Sequence, residues 1–426
     1  MTIAAIITAP GEAAISAIRI SGPESWAIAK KITNKNFQEK QVELAWIKKA
    51  SEKLDQVIII PFKKPHSFTG EDVIEIHSHG GFICVNKILE LVLENGARLA
   101  KPGEFSEQAV LNGKMDLVQA EAIHDLITAK TDLARKNAIE IYKGELGNEI
   151  KELRESLLGL LGAITASIDF PDEVGDYDKD LYINSVQACI SNIDKVLETE
   201  KQGEILRQGY KVAIIGKPNA GKSTLLNTLL KKDRAIVTEI EGTTRDSIEE
   251  FYNLDGFPIV LIDTAGIRES EDRIEKIGIE KSHEIADQAD LILELIDLSQ
   301  ASNEVQRNDS IKIGTKADLE TQTQIKTELN ISANQNQNID ALKELLKKHI
   351  NLKAGSQANV KINQRQADLL RQSKSALKQS LEATHLSEDF WTIDLRNAIG
   401  HLGEITGESL TEELLDNIFS RFCIGK

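Results

Sequence analysis

The chain has 426 residues, a formal net charge of −16 at pH 7, three cysteines and 4% aromatic residues. Its length predicts two or three domains, the few scattered cysteines exclude a disulfide framework, and the acidic balance disfavours diffuse binding to nucleic-acid phosphates. Because no apolar run approaches the roughly 18 residues that span a bilayer and the first residues lack a basic signal region, we expect a cytoplasmic protein with no membrane partner.

Residues 1–115 alternate short strand-like runs with glycine and proline, and they include one helix-like stretch. Val57–Ile60 and Val73–Ile76 are two of the runs. This pattern predicts an α+β domain. From residue 116 to 206 such punctuation nearly stops and apolar residues recur at every third or fourth position, which predicts a helical region.

Residues 207–355 alternate strands with helices, which predicts a mostly parallel sheet covered by helices. Residues 356–426 return to helical spacing. We therefore predict a multidomain α+β protein in which the α/β unit is inserted within one helical domain, whose two parts are residues 116–206 and 356–426.

A phosphate-binding loop lies near the start of the α/β unit. The predicted strand Val212–Ile215 leads directly into Gly216–Ser223, and a predicted helix follows. Glycines let backbone N–H groups approach phosphates, Lys222 can reach the terminal phosphates, and the Ser223 hydroxyl can bind Mg²⁺. A chance turn is a poor alternative because strand, loop and helix occur in the required order. The nucleotide-binding candidates here are Asn219, Ala220, Gly221, Lys222, Ser223 and Thr224.

Two further motifs follow in the expected order. The apolar run Ile259–Ile262 ends in Asp263-Thr264-Ala265-Gly266, which predicts an aspartate linked to Mg²⁺ and a glycine that senses the γ-phosphate. Between this motif and the phosphate loop lies Gly242–Asp246. There Thr244, in a loop, can complete the magnesium shell.

The motif Thr315-Lys316-Ala317-Asp318 predicts that the bound base is guanine. The carboxylate of Asp318 can accept hydrogen bonds from the N–H groups of guanine. Ser332-Ala333 would cap the base pocket. The usual first residue of this motif is Asn, so Thr315 predicts weaker guanine affinity or selectivity. Each of the shorter motifs is weak alone, but together with the phosphate loop the ordered set predicts a GTPase.

The residue after the Asp263–Gly266 motif is Ile267, where Ras-like GTPases have a glutamine that orients the attacking water. An isoleucine cannot orient water, so we expect a carboxylate elsewhere in the chain to do so. The acidic stretch 269–280 offers several candidates, most of which are expected to be solvated surface charges.

The order of these parts resembles that of the MnmE (TrmE) family, and the likeness extends over essentially the whole chain. Its most specific element is the C-terminal tetrapeptide, which matches a CxGK signature. The matching segments are Ala4–Pro10, Arg19–Gly22, Ser67–Val73, Pro102–Ser106, Asn112–Ala122, Asp416–Ser420 and Cys423–Lys426.

The resemblance implies that residues 1–115 form a folate-binding and dimerisation domain. It places a formyl-tetrahydrofolate or related one-carbon folate on Arg19, Glu75, Lys114 and Lys426, and cations and a carboxylate suit such an anionic ligand with N–H donors. Taken alone, Arg19 and Lys114 would be interpreted as surface cations. Cys423 is a possible modification-site residue, although a packing role or a position next to the substrate is favoured.

The resemblance also implies a K⁺ ion that takes the place of an arginine finger. Its ligands would be Asn219, Thr238, Ile240 and Thr243, with Mg²⁺ bound by Ser223 and Thr244. Glu275 would be the catalytic carboxylate that orients water, followed by matching Gly278 and Ile279. The loop residues implied to contact GTP are Thr238, Glu239, Ile240, Glu241, Gly242, Thr243 and Thr244.

The implied function is GTP-dependent addition of an aminomethyl or carboxymethylaminomethyl group to carbon 5 of the wobble uridine of certain tRNAs. The implied assembly is a homodimer that joins the FAD-containing flavoprotein MnmG (GidA) in a heterotetramer. Two alternatives are a ribosome-assembly GTPase of the Era or EngA type, which lacks the CxGK tail, and a folate-dependent aminomethyltransferase with a passenger GTPase domain.

Overall fold

The computed structural model describes residues 1–233, 249–263, 287–301, 307–354 and 361–426. The chain divides into two compact units. The first comprises Met1–His124, Tyr142–Val174 and Thr392–Lys426, and the second comprises Asp125–Ile141 and Gly175–Trp391. Among the described residues, no helix is long and apolar enough to cross a membrane.

The first unit contains a six-stranded sheet with the order β3-β4-β5-β2-β1-β6. Neighbouring strands are antiparallel except β1 and β6, which are parallel. The strands are β1 (Ile3–Ile6), β2 (Ala13–Ser21), β3 (Glu43–Lys49), β4 (Glu52–Phe62), β5 (Val73–Gly80) and β6 (Arg98–Leu99), and the accompanying helices are α1 (Ser25–Thr33), α2 (Phe82–Glu94) and α3 (Glu104–Leu111).

Alternation along the strands determines which face of this sheet is buried. Ile18 and Ile20 of β2 and Ile74 and Ile76 of β5 are fully buried against a core that includes residues of α1 and α2. Since successive side chains point to opposite faces, Arg19 lies on the other face, as do its strand neighbours two positions away.

The long helix α6 (Glu145–Asp169) lies within the predicted helical region 116–206. It buries Leu153, Leu157, Leu160 and Ile164, which recur at helical spacing. The remaining helices before the nucleotide-binding region are α4 (Leu117–Thr128), α5 (Asp132–Tyr142), α6 (Glu145–Asp169), α7 (Pro171–Val174), α8 (Lys179–Leu197) and α9 (Glu200–Gln208).

The described residues of the second unit form a six-stranded sheet with the order β12-β11-β10-β7-β9-β8. All neighbouring pairs are parallel except β8 with β9. The elements are β7 (Tyr210–Gly216), α10 (Lys222–Asp233), β8 (Glu249–Leu254), β9 (Phe257–Asp263), β10 (Leu291–Asp297), β11 (Ile311–Thr315), β12 (Leu329–Asn330) and α11 (Ile339–Ala354).

Three further helices complete the chain: α12 (Gln364–Glu382), α13 (Glu388–Thr406) and α14 (Glu412–Phe419). α12 begins with a capping box in which Asn363 and Gln366 satisfy each other's backbone N–H groups, an arrangement that defines the helix start. The two sheets and the intervening helices confirm the predicted multidomain α+β fold class.

Candidate functional site

The nucleotide-binding candidates lie at one edge of the second sheet. β7, β9, β10, β11 and β12 run parallel, so their carboxyl ends meet at the same edge. In open α/β sheets this is the edge where ligands bind. The phosphate loop follows β7, Asp263 ends β9, and the predicted base motif begins at the end of β11.

The backbone of the phosphate loop needs residues that tolerate unusual torsion angles. Gly216 has φ 151°, and a Cβ there would lie 2.7 Å from the Leu295 carbonyl oxygen. Asn219 has φ 64°, a left-handed conformation that asparagine adopts more readily than most residues. The loop therefore passes close to β10 and delivers the chain to the start of α10, whose first N–H groups form an anion-binding end.

Lys222 provides the positive charge of the loop. Its Nζ donates hydrogen bonds to the Gly216 carbonyl oxygen at 2.6 Å and the Lys217 carbonyl oxygen at 3.1 Å. The ammonium group is thus held across the mouth of the loop, where it can exchange these carbonyls for phosphate oxygens. Ser223 follows on the first turn of α10 and is exposed, so its hydroxyl is accessible to a magnesium ion bound with the nucleotide.

Thr315 connects the phosphate loop to the base motif. Its buried hydroxyl lies 2.8 Å from the Ala220 carbonyl oxygen and 3.2 Å from the Ile296 carbonyl oxygen, and its single proton can be donated to the nearer of the two, that of Ala220. A threonine can therefore link this motif to the loop although it lacks an amide. The sequence motif alone did not reveal this contact, because Ala220 and Thr315 are far apart along the chain.

Lys316 is held by an ion pair at the end of β10. Its Nζ lies 2.6 Å from Asp297 Oδ2, while Ser299 donates its backbone N–H and its hydroxyl to the other oxygen. Burial alone would raise the pKa of Asp297, but Lys316 and Ser299 together lower it below its usual value. Asp297 is consequently a carboxylate at neutral pH and fixes the stem of the base motif.

The two base-recognition segments also lie next to each other. The Ala317 N–H donates to the Ile331 carbonyl oxygen at 3.0 Å, and the Thr228 hydroxyl of α10 donates to the Ala333 carbonyl oxygen at 3.3 Å. Asp318 is exposed, so its carboxylate is accessible to a ligand, whereas Ser332 is buried. The structure thus brings the phosphate loop, residues 315–318 and residues 332–333 together.

Several predicted site residues lie outside the described residues: Thr238, Glu239, Ile240, Glu241, Gly242, Thr243, Thr244, Thr264, Ala265, Gly266, Ile267, Glu275, Gly278 and Ile279. Their roles stay predictions. Asp263 is the last residue of β9, which pairs in parallel with β7, so its backbone lies at the same edge as the phosphate loop.

A second polar cluster lies in the first unit. Arg19 and Glu75 are direct cross-strand neighbours of β2 and β5, and Arg19 Nε and Nη2 each lie 2.9 Å from Glu75 Oε1. Their side chains are only 14% and 15% exposed. The Arg19 guanidinium also lies 4.8 Å from the ring centroid of Phe68 and 5.6 Å from that of Phe105. Two of the four predicted folate residues therefore form one ion pair between aromatic rings.

The two predicted lysines belong to segments that contact the chain on either side of this cluster. Lys114 Nζ donates to the Pro65 carbonyl oxygen at 3.0 Å, at the start of the loop that contains Phe68. The Lys426 carbonyl oxygen accepts the Phe105 N–H at 3.1 Å. The C-terminal segment thus packs beside the cluster, although neither lysine ammonium contacts Glu75 among the described hydrogen bonds.

Cys423 is exposed, and its carbonyl oxygen accepts hydrogen bonds from the Gly103 and Lys426 N–H groups at 3.3 Å. Ile424 forms an isolated β-bridge with Pro102, and a Cβ on Gly425 would lie 2.5 Å from the Ile6 carbonyl oxygen. A side chain at position 425 is excluded by this close approach and by its φ of 97°. The backbone of the tail is therefore fixed while the Cys423 side chain is accessible.

The fold and the nucleotide site define a P-loop nucleotide-binding protein, with an additional domain that contains the Arg19 cluster. Residues 117–423 match the model of the MnmE helical domain, and residues 2–114 match the model of the GTP-binding protein TrmE N-terminus. The tRNA modification GTPase MnmE of Nostoc sp. is 41% identical over 456 residues, and that of Aquifex aeolicus is 42% identical over 444 residues. Each alignment covers 100% of this chain and 99% of the relative.

The chain therefore belongs to the MnmE family of tRNA modification GTPases. This confirms the predicted family and the predicted class of enzyme, a GTPase. The Era-type alternative is disfavoured because the TrmE N-terminal model matches residues 2–114, outside the nucleotide-binding region.

Proposed function

We propose that this chain hydrolyses GTP at the carboxyl edge of the second sheet and uses the cycle to control modification of tRNA. The modification would be an aminomethyl or carboxymethylaminomethyl group added at carbon 5 of the wobble uridine. The observation that supports this most strongly is the joining of the phosphate loop to both base-recognition segments, in a chain related to tRNA modification GTPases along its whole length.

Within the nucleotide site, different residues would bind the phosphates, the base, the two metal ions and the attacking water. Lys222 and the α10 N-terminus bind phosphates, and Asp318 selects guanine. Mg²⁺ would be bound by Ser223 and Thr244, and it would supply charge stabilisation of the transferred phosphate. K⁺ would be bound by Asn219, Thr238, Ile240 and Thr243, and Glu275 would orient the attacking water.

A one-carbon folate would bind at the Arg19 cluster. The support is chemical: a partly buried carboxylate, the guanidinium paired with it and the flanking aromatic rings suit a flat heterocycle with N–H donors and an anionic tail. Lys114 and Lys426 would attract the tail, and the exposed Cys423 would lie beside the substrate.

The working assembly would be a homodimer that joins the FAD-dependent flavoprotein MnmG in a heterotetramer. The nucleotide-bound GTPase domains of the two subunits (residues 207–355, the G domain) would come together, and hydrolysis would separate them. We retain residues 1–115, 116–206, 207–355 and 356–426 as the domain boundaries. This division gives the G domain two covalent connections to the helical domain, through which motion could pass.

Mass spectrometry of wobble uridines from cells that lack the gene tests this function. We expect the carbon-5 modification to disappear and to return when the gene is restored. An unchanged uridine profile in the deletion strain would contradict the proposal. Loss of a different tRNA modification would retain the family assignment but refute the wobble-uridine chemistry.

A further inference from the structure

The C-terminal tetrapeptide, Cys423–Lys426, is held by the turn that joins β6 to α3. The Gly103 N–H donates to the Cys423 carbonyl oxygen at 3.3 Å. Two residues later, the Phe105 N–H donates to the Lys426 carbonyl oxygen at 3.1 Å. Both segments belong to the first unit. The position of the tetrapeptide therefore depends on the conformation of this turn.

A buried carboxylate closes the turn. The Glu104 side chain is only 6% exposed, and its Oε2 accepts the Lys101 N–H at 2.8 Å. The Glu104 N–H in turn donates to the Lys101 carbonyl oxygen at 3.3 Å. The side chain and the backbone of Glu104 thus both bind Lys101, and together they define the conformation of residues 101–104, the 101–104 turn.

Arg98, the first residue of β6, binds the same carboxylate. Its Nη1 donates to Glu104 Oε2 at 2.8 Å, and its Nη2 donates to Glu104 Oε1. Such a two-pronged contact fixes the orientation of a planar carboxylate as well as its position. Burial alone would raise the pKa of Glu104, but Arg98 and the Lys101 N–H together lower it, so this side chain is ionised at neutral pH.

The pair is better suited to fixing a conformation than to stabilising the fold. Removing a carboxylate from water costs free energy that its partner only partly returns, whereas an apolar pair of similar volume has no such cost. The turn is also tightly packed, since a Cβ on Gly103 would lie 2.7 Å from the Phe419 carbonyl oxygen. A turn with a different conformation could not keep both this packing and its hydrogen bonds to Cys423 and Lys426.

We propose that the Arg98–Glu104 pair positions the C-terminal tetrapeptide for the tRNA modification reaction, because it holds the 101–104 turn in the conformation that binds the backbone of Cys423 and Lys426. The inference rests on the proposed function, in which these two residues lie near the substrate. Arg98 and Glu104 act through the turn and are positioning residues.

Hydrogen exchange of the full-length protein, followed by mass spectrometry of its peptides, measures how firmly the tetrapeptide is held. Glu104→Gln keeps the side-chain shape and removes the charge. It should speed amide exchange in residues 103–105 and 424–426 by about tenfold or more, the effect expected for loss of a hydrogen bond between charged groups. Exchange in α2 should stay unchanged, because the effect is local.

Three further variants complete the series. Arg98→Gln should have the same effect as Glu104→Gln. Arg98→Lys keeps the charge without the two-pronged donor, so its exchange should fall between that of Arg98→Gln and wild type. Glu107→Gln is the matched control, because Glu107 lies in the same first turn of α3 and its carboxylate accepts no hydrogen bond from Arg98 among the described contacts. Its exchange should equal that of wild type.

The same variants are then compared in reconstituted tRNA modification, with nucleoside mass spectrometry of the product. At saturating tRNA, Glu104→Gln and Arg98→Gln should form modified wobble uridine about tenfold more slowly than wild type, since a misplaced group lowers the rate of the chemical step. The KM for tRNA and basal GTP hydrolysis should stay unchanged.

Wild-type exchange of the tetrapeptide in both variants would overturn the proposal. Exchange that rises equally in α2 would also overturn it, since the pair would then have only a general structural role. A wild-type rate of modification despite faster exchange would refute the positioning role. If the wild-type protein formed no modified uridine, the proposed function itself would be contradicted, and the exchange rates would still show whether the pair holds the tetrapeptide.

Discussion

Thr315 illustrates how a single residue can replace part of a motif. The sequence departs from the usual asparagine, and the expected cost is weaker guanine affinity or selectivity. In the structure the Thr315 hydroxyl makes the bond to the Ala220 carbonyl oxygen that holds the phosphate loop against β11. The hydroxyl therefore links the base motif to the phosphate loop, and the effect on guanine stays a prediction.

Thr315→Val removes this bond while it keeps the side-chain shape. The Ala220 carbonyl oxygen loses a buried donor, so we expect a loss of about 1 kcal/mol, or roughly fivefold in GTP affinity. Fluorescent-nucleotide titration measures it. Thr321→Val, at an exposed position after the motif, is the control and should change nothing. Unchanged affinity in Thr315→Val would show that the bond does not position the loop.

Glu275→Ala is expected to abolish most hydrolysis and to leave GTP binding intact. Ile267 cannot orient water, and a carboxylate that accepts a hydrogen bond from water contributes roughly a hundredfold in rate. Single-turnover hydrolysis measures the effect, with Glu269→Ala and Glu271→Ala as controls. A rate within about threefold of wild type would refute the assignment. Loss of affinity together with rate would indicate a binding or structural role.

The folate-binding residues were predicted from the resemblance to a family. The structure adds their spatial arrangement, which the local sequence could not provide. Arg19 and Glu75 are 56 positions apart, and only the β2–β5 register makes them neighbours. Phe68 and Phe105, whose rings lie beside Arg19, were not singled out from the sequence because aromatic residues have no distinctive spacing there. Cross-strand register depends on long-range pairing, which a local pattern does not specify.

Among the elements, α9 is held to two other segments of the second unit by one arginine. Arg207, in its last turn, donates to Asp125 at 2.7 Å and to the carbonyl oxygens of Ile362 and Lys361 at 2.8 and 3.0 Å. A Cβ on Gly203 would lie 2.0 Å from the Ile362 carbonyl oxygen, so only glycine permits this approach. One arginine thus joins the end of α4, the chain before β7 and the chain that returns after α11.

Arg207→Ala should therefore destabilise the protein far more than loss of a surface ion pair. The side chains of Arg207 and Asp125 are 17% and 16% exposed, so Asp125 would be left mostly buried without its partner, at a cost of about 2 to 4 kcal/mol. Urea unfolding measures it. Arg371→Ala breaks the exposed pair with Glu200 and should cost less than about 1 kcal/mol. Equal costs for both variants would contradict this account.

The next prediction concerns a monovalent cation at the phosphate loop. GTP turnover should be stimulated by K⁺ far more than by Na⁺, because Asn219 is a candidate ligand of a K⁺ ion that would take the place of an arginine finger. Asn219 has a left-handed backbone, so Asn219→Gly removes the amide without strain. This variant should lose the stimulation and keep nucleotide affinity within about fivefold. Retained stimulation would exclude Asn219 as a ligand.

Periodic elements were predictable, and short ones were not. The apolar face of α6 and the buried strands β7 and β9 were predictable because the spacing of apolar residues can be read from the local sequence. β6 and β12 have only two residues each, and they exist because neighbouring strands offer them hydrogen-bonding partners. No local pattern can specify such strands.

For the whole molecule, charge is distributed unevenly along the chain. Residues 1–115 contain fourteen Lys and Arg against thirteen Asp and Glu, so the net charge of −16 arises entirely from the remainder. A polyanionic tRNA is therefore expected to approach the N-terminal region or a partner protein rather than the acidic helices.

The central claim is that GTP hydrolysis by this chain is required for tRNA modification. The most direct measurement uses the purified full-length protein, MnmG, a one-carbon folate, a nitrogen donor and unmodified tRNA, with nucleoside mass spectrometry of the product. We predict that modified wobble uridine forms with GTP and not with a non-hydrolysable GTP analogue. Equal product with the analogue, or with no nucleotide, would contradict the claim.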